Sequence, residues 1–95
     1  MDIENQCFVW GSEKESLNVR KHGVDFVSAA MAFLDQNRRV YVDDRHSEKE
    51  ERYFCVGKVD GRILTVRFMV RDGKIRIIGA GHWRKGAGQY AQEET

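Results

Sequence analysis

The sequence predicts an α+β domain in which two N-terminal helices pack on an antiparallel β-sheet and a short helix ends the chain. Two dipeptides support the sheet: Asp60-Gly61 and Asp72-Gly73 are typical of two-residue type I′ hairpin turns, and both stand between β-branched and aromatic residues. The N-terminal half instead repeats apolar residues at helical spacing. A chain of 95 residues without proline, internal repeats or low-complexity tracts predicts a single domain, residues 1–95.

The first helix is predicted to run from Ser12 to about His22, after a short strand at residues 7–10. Ser12 and Glu15 match a capping box, in which the hydroxyl accepts from the backbone N–H of Glu15 and the carboxylate reaches back. Gly23 is placed to end this helix in the left-handed conformation.

A second helix is predicted after Asp25, which can cap its N-terminus. Its apolar face has the i, i+3, i+4, i+7, i+8 spacing of a buried helix and consists of Phe26, Ala29, Ala30, Phe33 and Leu34. Residues 40–42 predict a strand, and the charged stretch 43–51 predicts a solvated loop. Four glycines between residues 79 and 88 indicate that the last helix is short and starts late.

Three antiparallel strands are predicted at residues 52–59, 62–70 and 74–80. Two-residue turns pair Val59 with Arg62 and Arg71 with Lys74, and strict alternation then assigns each side chain to a face. One face is almost wholly apolar and suited to burial under the helices; it comprises Tyr53, Cys55, Val59, Leu64, Val66, Phe68, Val70, Ile75 and Ile77.

The opposite face carries three arginines on three adjacent strands: Arg52, Arg67 and Arg76. The register predicts Arg67 opposite Phe54 and Ile78. Because like charges this close repel, a group outside the sheet is expected to offset the cost. Two interpretations stay open: the arginines pair with carboxylates of the acidic loop and the C-terminal segment, or they bind phosphates and stabilise charge during phosphoryl transfer.

The net charge of +1 conceals an asymmetry, since residues 62–95 carry seven Lys/Arg against three Asp/Glu while residues 1–61 carry nine against twelve. An anionic partner such as RNA would be attracted to the C-terminal third. No apolar run is long enough to span a bilayer and no signal-peptide pattern opens the chain, so we expect a cytoplasmic protein. Cys7 and Cys55 are then expected to be buried, reduced thiols.

The chain resembles the BrnT toxin family over about residues 8–85. The matching positions are Trp10, Lys14, Asn18, Lys21-His22-Gly23-Val24 and Phe26 with an alanine pair, then His46-Ser47 with Glu50-Glu51-Arg52, and finally Ile75-Arg76-Ile77-Ile78. The resemblance implies a RelE-like fold, cleavage of RNA without metal or other cofactor, and a ribbon-helix-helix DNA-binding antitoxin as partner in a hetero-oligomer.

The chain departs from the family after the last strand, where Gly81 stands in place of a usual arginine and His82-Trp83-Arg84-Lys85 follows. Metal-independent RNA cleavage requires activation of the ribose 2′-hydroxyl, a proton donor to the leaving oxygen and cations around the phosphorane. Under the resemblance, His82 is the first candidate for acid or base because imidazole titrates near neutrality. The candidate catalytic residues are Arg52, Arg67, Arg76, His82 and Arg84.

The candidate RNA-binding residues are Lys21, His22, Trp83, Lys85 and Tyr90. The first two lie in the last turn of helix 1, where the helix dipole favours cations, and Trp83 offers a ring on which a base can stack. Other interpretations stay open: Trp83 as a core residue, the Lys14, Asn18 and His22 stripe as a solvated helix face, and His46 as structural.

Two further classes of function compete with an endoribonuclease toxin. The first is a catalytically silent module of the same fold that holds a small partner protein or binds RNA without cutting it. The second is an enzyme acting on small molecules, for which the sequence contains no pocket signature. No His/Asp/Glu metal constellation and no Ser-His-Asp arrangement is present in the sequence.

Overall fold

The computed structural model describes residues 7–45 and 50–94, with side chains through residue 91. The elements in chain order are β1 (Phe8–Val9), α1 (Ser12–His22), α2 (Phe26–Met31) continued by a 3₁₀ turn (Ala32–Leu34), β2 (Arg39–Val42), β3 (Arg52–Val59), β4 (Arg62–Arg71), β5 (Lys74–Gly81) and α3 (Arg84–Glu94). The predicted loop is described only at its two ends, and His46 and Ser47 lie outside the described residues. In the part of the chain that is described, no helix is long and apolar enough to cross a membrane.

Both Asp-Gly dipeptides form the predicted turns. All four turn residues have positive φ, 49° and 80° at Asp60-Gly61 and 54° and 72° at Asp72-Gly73, as a type I′ turn requires. The residues on either side of each turn pair across the hairpin as predicted. The register of β3, β4 and the first half of β5 is therefore confirmed.

The sheet is mixed, and the predicted all-antiparallel arrangement is wrong at one edge. Its strand order is β1-β5-β4-β3-β2, with β1 parallel to β5 and every other pair antiparallel. Hairpin turns determine only the pairing of consecutive strands. The partner of β1 is determined by the two helices that follow it, since they carry the chain away to the opposite edge before β2 begins.

One face of the sheet is buried under α2 and the 3₁₀ turn. The largest fully buried side chains there are Phe26, Phe33, Cys55, Leu64, Val66, Ile75 and Ile77. The close approach depends on Gly57, because a Cβ at this position would collide with the carbonyl oxygen of Ala32. Two predicted core residues are instead exposed: Leu34 (48%), which the 3₁₀ turn rotates outward, and Val70 (50%), which lies at the end of a hairpin.

The two cysteines differ from each other, although both were predicted to be buried. Cys55 is fully buried, and the loss of solvation raises the pKa of its thiol to about 12. Cys7 is exposed, because it precedes the two-residue β1 at the edge of the sheet.

Helix α1 does not use the predicted capping box. Gly11 occupies the N-cap, and its carbonyl accepts from the N–H of Glu15 at 3.1 Å. The Glu15 carboxylate accepts instead from the N–H of Phe26 at 2.9 Å, so it ties α1 to the start of α2. The predicted helix end is confirmed, with Gly23 at φ 70° and its N–H bonded to the carbonyl of Val19.

A β-bulge at Ile78 shifts the register of the second half of β5. Phe68 pairs with Ile77, but Arg67 pairs with Gly79, so the predicted opposition of Arg67 and Ile78 is wrong. One extra residue moves all later side chains to the other face. Ala80 is therefore buried in the core, while Gly79 and Gly81 lie on the arginine face.

The C-terminal helix is present and covers part of the face opposite α2, but the prediction that it is short is wrong: it includes Gly86 and Gly88 and, with 11 residues, is as long as α1. Gly86 permits this packing, since a Cβ there would overlap the hydroxyl of Thr65 on β4. The far end of α3 is held by the Tyr90 hydroxyl, which donates to the Asp35 carboxylate at 2.7 Å. The arginine face is thus only half open, and its open half lies next to α1.

Candidate nucleic-acid interface

A surface groove of about 290 Å³ lies between α1 and the open half of the sheet. Its lining residues are Lys14, Leu17, Asn18, Lys21, His22, Arg67, Ile78, Gly79 and Trp83. Three of these side chains are permanent cations and one is an imidazole, while none of the described residues that line the groove is acidic. Such a surface attracts an anion and offers it several hydrogen-bond donors.

Helix α1 contributes three of the basic side chains because they share one helical face. Lys14, Lys21 and His22 are spaced at i, i+7 and i+8, with Asn18 between them on the same face. Lys21 and His22 also lie in the last turn, where the helix dipole favours positive charge.

Asn18 holds this helix against the sheet. Its side-chain amide donates to the carbonyls of Val24 and Ala80, both at 2.9 Å, and its Oδ1 accepts from the N–H of Ala80 at 3.1 Å. The side-chain amide therefore bonds the backbone of Ala80 in β5 as a neighbouring strand would. It does so beyond the part of β5 that pairs with the two-residue β1. Asn18 is only 8% exposed, and it is the one buried residue of α1.

Arg67 comes to the groove from the middle of the sheet. It is half-buried and pairs with Phe54 on one side and Gly79 on the other. Its Cδ lies 3.8 Å from the point where a Cβ of Gly79 would stand, so the arginine passes directly over that glycine. Among the side chains that the structure describes, in residues 7–45 and 50–91, Arg67 has no ion-pair partner.

Trp83 closes one end of the groove. Its indole ring lies on Gly81, where a Cβ would be 2.6–2.9 Å from three ring atoms. The ring also contacts the His22 imidazole edge to face, with centroids 5.3 Å apart and an interplanar angle of 86°. In this chain, Trp83 therefore occupies the space above position 81 that a long side chain would otherwise need.

The other two predicted arginines lie on the same face as Arg67, outside the groove lining. Arg52 and Arg76 both pair with Met69, which places them one row further along β4. Glu50 bonds Arg71 at 2.6 Å, which lowers the pKa of the Glu50 carboxyl, and the charge of Arg52 lowers it further. The ion-pair interpretation thus applies to the surroundings of Arg52 better than to Arg67.

The remaining predicted residues are spread around the start and end of α3. His82 is exposed and its Nδ1 lies 2.9 Å from the carbonyl oxygen of Ile63, away from the groove lining. Arg84 and Lys85 are exposed on the first turn of α3. Tyr90 is 3% exposed, its hydroxyl donates to Asp35, and it does not line the groove.

Lys14 and Asn18 were not among the predicted site residues, although the sequence spaces them with His22 on one helix face. The prediction also missed Tyr41, Phe54 and Gln89, which line a second cleft beside Trp83; these residues are brought together only by the sheet and α3. No three His, Cys, Asp or Glu side chains of residues 7–45 and 50–91 are grouped so that they could hold a metal ion.

The fold and the groove define a small α+β domain with a cationic groove, built from a helix and a sheet, that has no carboxylate among its described lining residues. Residues 10–86 match the family model described as the ribonuclease toxin, BrnT, of type II toxin–antitoxin systems. The chain therefore belongs to the BrnT toxin family, as its sequence motifs predicted. No curated protein matches the chain.

Proposed function

We propose that this protein is an endoribonuclease toxin that cleaves RNA without a metal ion and acts in the cytoplasm. The observation that carries the proposal is the groove in which Lys14, Lys21, His22 and Arg67 converge around Trp83 without a lining carboxylate. These side chains provide the positive charge that a phosphorane requires. The family match supports the ribonuclease activity, and the RelE-like relationship of the fold is part of the same proposal.

The reaction assigned to this groove is attack of the ribose 2′-hydroxyl on the adjacent phosphorus. The 2′-oxygen passes its proton to the imidazole of His22 as it bonds to phosphorus, the bond from phosphorus to the 5′-oxygen breaks, and the imidazolium returns a proton to that oxygen, so that the products are a 2′,3′-cyclic phosphate and a 5′-hydroxyl. Arg67 and Lys21 stabilise the extra negative charge on the phosphorane. His22 takes the proton-transfer role predicted for His82, because His22 lines the groove and His82 does not.

The outlying cations are proposed to bind RNA beyond the scissile phosphate. Arg52 and Arg76 extend the positive surface along the sheet, and Arg84 and Lys85 extend it past Trp83. Contacts between such cations and phosphates increase the affinity for RNA without a preference for its sequence.

The family implies an antitoxin partner, and we propose that it is a ribbon-helix-helix protein that forms a hetero-oligomer with this chain. An apolar stripe on the outer side of α2 and the 3₁₀ turn supports a protein contact: Val27, Met31 and Leu34 recur at i, i+4 and i+7 and are 62%, 47% and 48% exposed. A helix with such a stripe is suited to packing against another apolar surface.

The proposal predicts that Arg67→Ala abolishes RNA cleavage with little change in melting temperature. The half-buried guanidinium has no ion-pair partner among the described residues, so its removal takes away phosphate binding and leaves the fold intact. Cleavage is measured on single-stranded RNA in EDTA, with Arg62→Ala, an exposed hairpin arginine, as the matched control. We expect a loss of at least about 100-fold in rate for Arg67→Ala and none for the control.

Intact RNA after incubation with the folded wild-type protein would contradict the proposal. So would an Arg67→Ala protein that cleaves normally, or one whose inactivity is explained by a large loss of stability.

A catalytically silent binding module is the second candidate, and a single observation favours it: Trp83 occupies the space above Gly81, where the resemblance places a usual arginine. Under this alternative, the protein copurifies with an antitoxin and binds RNA, but expression alone does not arrest growth. Growth arrest by the wild-type chain that is lost with Arg67→Ala distinguishes the toxin from the silent module.

A further inference from the structure

A second cleft, of about 230 Å³, lies on the other side of Trp83 from the basic groove. It opens between β2, β3 and β4 on one side and the first turns of α3 on the other. Three aromatic rings line it, from Tyr41, Phe54 and Trp83, and polar groups are provided by Lys85 and Gln89. Its volume is below the roughly 300–1,000 Å³ of sites for drug-sized ligands, which suits a single planar ring system.

The sheet register connects this cleft to the groove. Tyr41 pairs with Phe54, Phe54 pairs with Arg67, and Arg67 pairs with Gly79. These residues form one row across four strands, with the aromatic pair at the cleft and the arginine at the groove. Trp83 lines both cavities, so the two sites share one wall.

The chemistry of the two cavities differs in a way that matches a nucleotide. The groove provides cations for a phosphate, while the cleft provides ring faces on which a base can stack and an amide that can bond its edge. An apolar side chain of a protein partner would also fill an aromatic cleft, but it would leave the adjoining cationic groove without an anion.

We propose that the aromatic cleft binds one unpaired base of the RNA whose phosphate occupies the basic groove, which gives the protein a nucleotide preference at that position. This inference rests on the proposed function and deepens it. The cleft selects by stacking and by one edge contact from Gln89, while Arg67 and Lys21 hold the neighbouring phosphate.

The test compares nucleoside 5′-monophosphates with ribose 5-phosphate, which has the same phosphate and no base. Binding is followed by quenching of Trp83 in a Trp10→Phe protein, because Trp10 is the only other tryptophan and packs against Phe26. Calorimetric titration of the unsubstituted protein provides the same comparison if that variant is unstable. We expect at least one nucleotide to bind about tenfold more tightly than ribose 5-phosphate.

Two substitutions in the cleft provide the decisive comparison. Tyr41→Ala and Gln89→Ala should weaken nucleotide binding by about tenfold and leave ribose 5-phosphate binding unchanged. Val40→Ala is the matched control, since Val40 is 51% exposed on the same strand and points to the opposite face. The control should bind nucleotides like the wild type.

Equal affinity for nucleotides and ribose 5-phosphate would overturn the inference, as would unchanged nucleotide binding in both cleft variants. The inference would also be overturned if a captured protein partner occupied the cleft and no nucleotide bound to it. RNA cleavage by the same proteins separates the two proposals: if the wild type and Tyr41→Ala cleave with the same base preference, the cleft assignment fails while the ribonuclease assignment stands.

Discussion

The missing side chain at Gly81 determines where Trp83 lies. A Cβ at this position would stand 2.6–2.9 Å from the indole ring, whereas a Cβ at Gly79 would meet its nearest neighbours at 3.7–3.8 Å, which is ordinary contact. Of these two glycines on one strand face, only Gly81 therefore requires the absence of a side chain. The identity of residue 81 and the position of Trp83 are coupled.

Because of this coupling, we predict that Gly81→Ala displaces Trp83 and lowers RNA cleavage about tenfold, while Gly79→Ala leaves both nearly unchanged. The lost contribution is the stacking surface of the indole, worth about 1–3 kcal/mol per base. The fluorescence spectrum of Trp83, measured in proteins that also carry Trp10→Phe, reports the displacement, and an RNA cleavage assay reports the effect on activity. If both alanine variants behave alike, Trp83 is not positioned by Gly81.

At the scale of elements, one buried amide attaches α1 to the sheet. Leu17 and Val19 of this helix are 49% and 44% exposed, so α1 has no buried apolar stripe. Its attachment to the sheet depends instead on the three hydrogen bonds of Asn18, two of which go to the β5 backbone, while the Glu15 carboxylate bonds α1 to the start of α2. The same helix carries Lys14, Lys21 and His22, and Asn18 thus couples stability to the geometry of the groove.

Asn18→Ala is accordingly predicted to lower the free energy of unfolding by about 3 kcal/mol, since the buried N–H and C=O groups of Ala80 and the carbonyl of Val24 lose their partners. Urea denaturation measures the loss, and Ser16→Ala, at an exposed position on the same helix, is the control. A change below about 0.5 kcal/mol would show that the helix is held in another way.

The attachment of α3 depends on pH through Asp35. Burial raises the pKa of this carboxyl, but hydrogen bonds from the Tyr90 hydroxyl and from the N–H groups of Lys58 and Asn37 outweigh burial and bring the pKa below its ordinary value of 3.8. A lowered pKa in the folded state means that the stabilisation is complete above the unfolded value and is lost as the pH falls through the folded value.

Asp35→Asn should therefore remove part of the acid sensitivity of the fold. The wild type is expected to be more stable than this variant at pH 7, with a difference that shrinks below about pH 4. Tyr90→Phe should cost about 1 kcal/mol at neutral pH, the value of one hydrogen bond. Thermal unfolding between pH 3 and pH 7 measures both effects; stability differences that do not vary with pH would contradict the role given to Asp35.

Elements that depend on neighbouring residues were predictable from the sequence, and those that depend on distant contacts were not. The Asp-Gly turns and the Gly23 helix end are local signals, and the structure confirms them. The parallel pairing of β1 joins segments far apart in the chain, and the bulge at Ile78 and the bond from Phe26 to Glu15 depend on how successive elements pack in three dimensions. No local pattern encodes them.

The candidate site, like the fold, was predictable in part from the sequence. Alternation placed Arg52, Arg67 and Arg76 on one face, and the structure agrees. The sequence could not show that α3 covers half of that face or that α1 lies beside the other half, so it ranked His82 above His22. The resemblance to a family identified residue types, and the packing of three elements determined which of them line the groove.

At the scale of the whole molecule, the charge distribution is more informative than the total. The net charge is +1, yet the groove collects cations from both halves of the chain and has no acidic residue among its described lining. An RNA strand is therefore expected to bind by local phosphate contacts. When binding depends on such contacts, the logarithm of the affinity falls linearly with the logarithm of the salt concentration. The slope is proportional to the number of phosphate contacts.

The central claim is that the groove binds RNA phosphates, and two adjacent residues of α1 test it most directly. Lys21 lines the groove, whereas the exposed Arg20 lies on another face of the helix. Binding of a 2′-O-methyl oligonucleotide, which has no free 2′-hydroxyl to attack the phosphorus, is measured across salt concentrations for Lys21→Ala and Arg20→Ala. We predict that Lys21→Ala makes the slope of log affinity against log salt shallower by about 0.7, while Arg20→Ala leaves it unchanged. Equal slopes for the two variants would contradict the account.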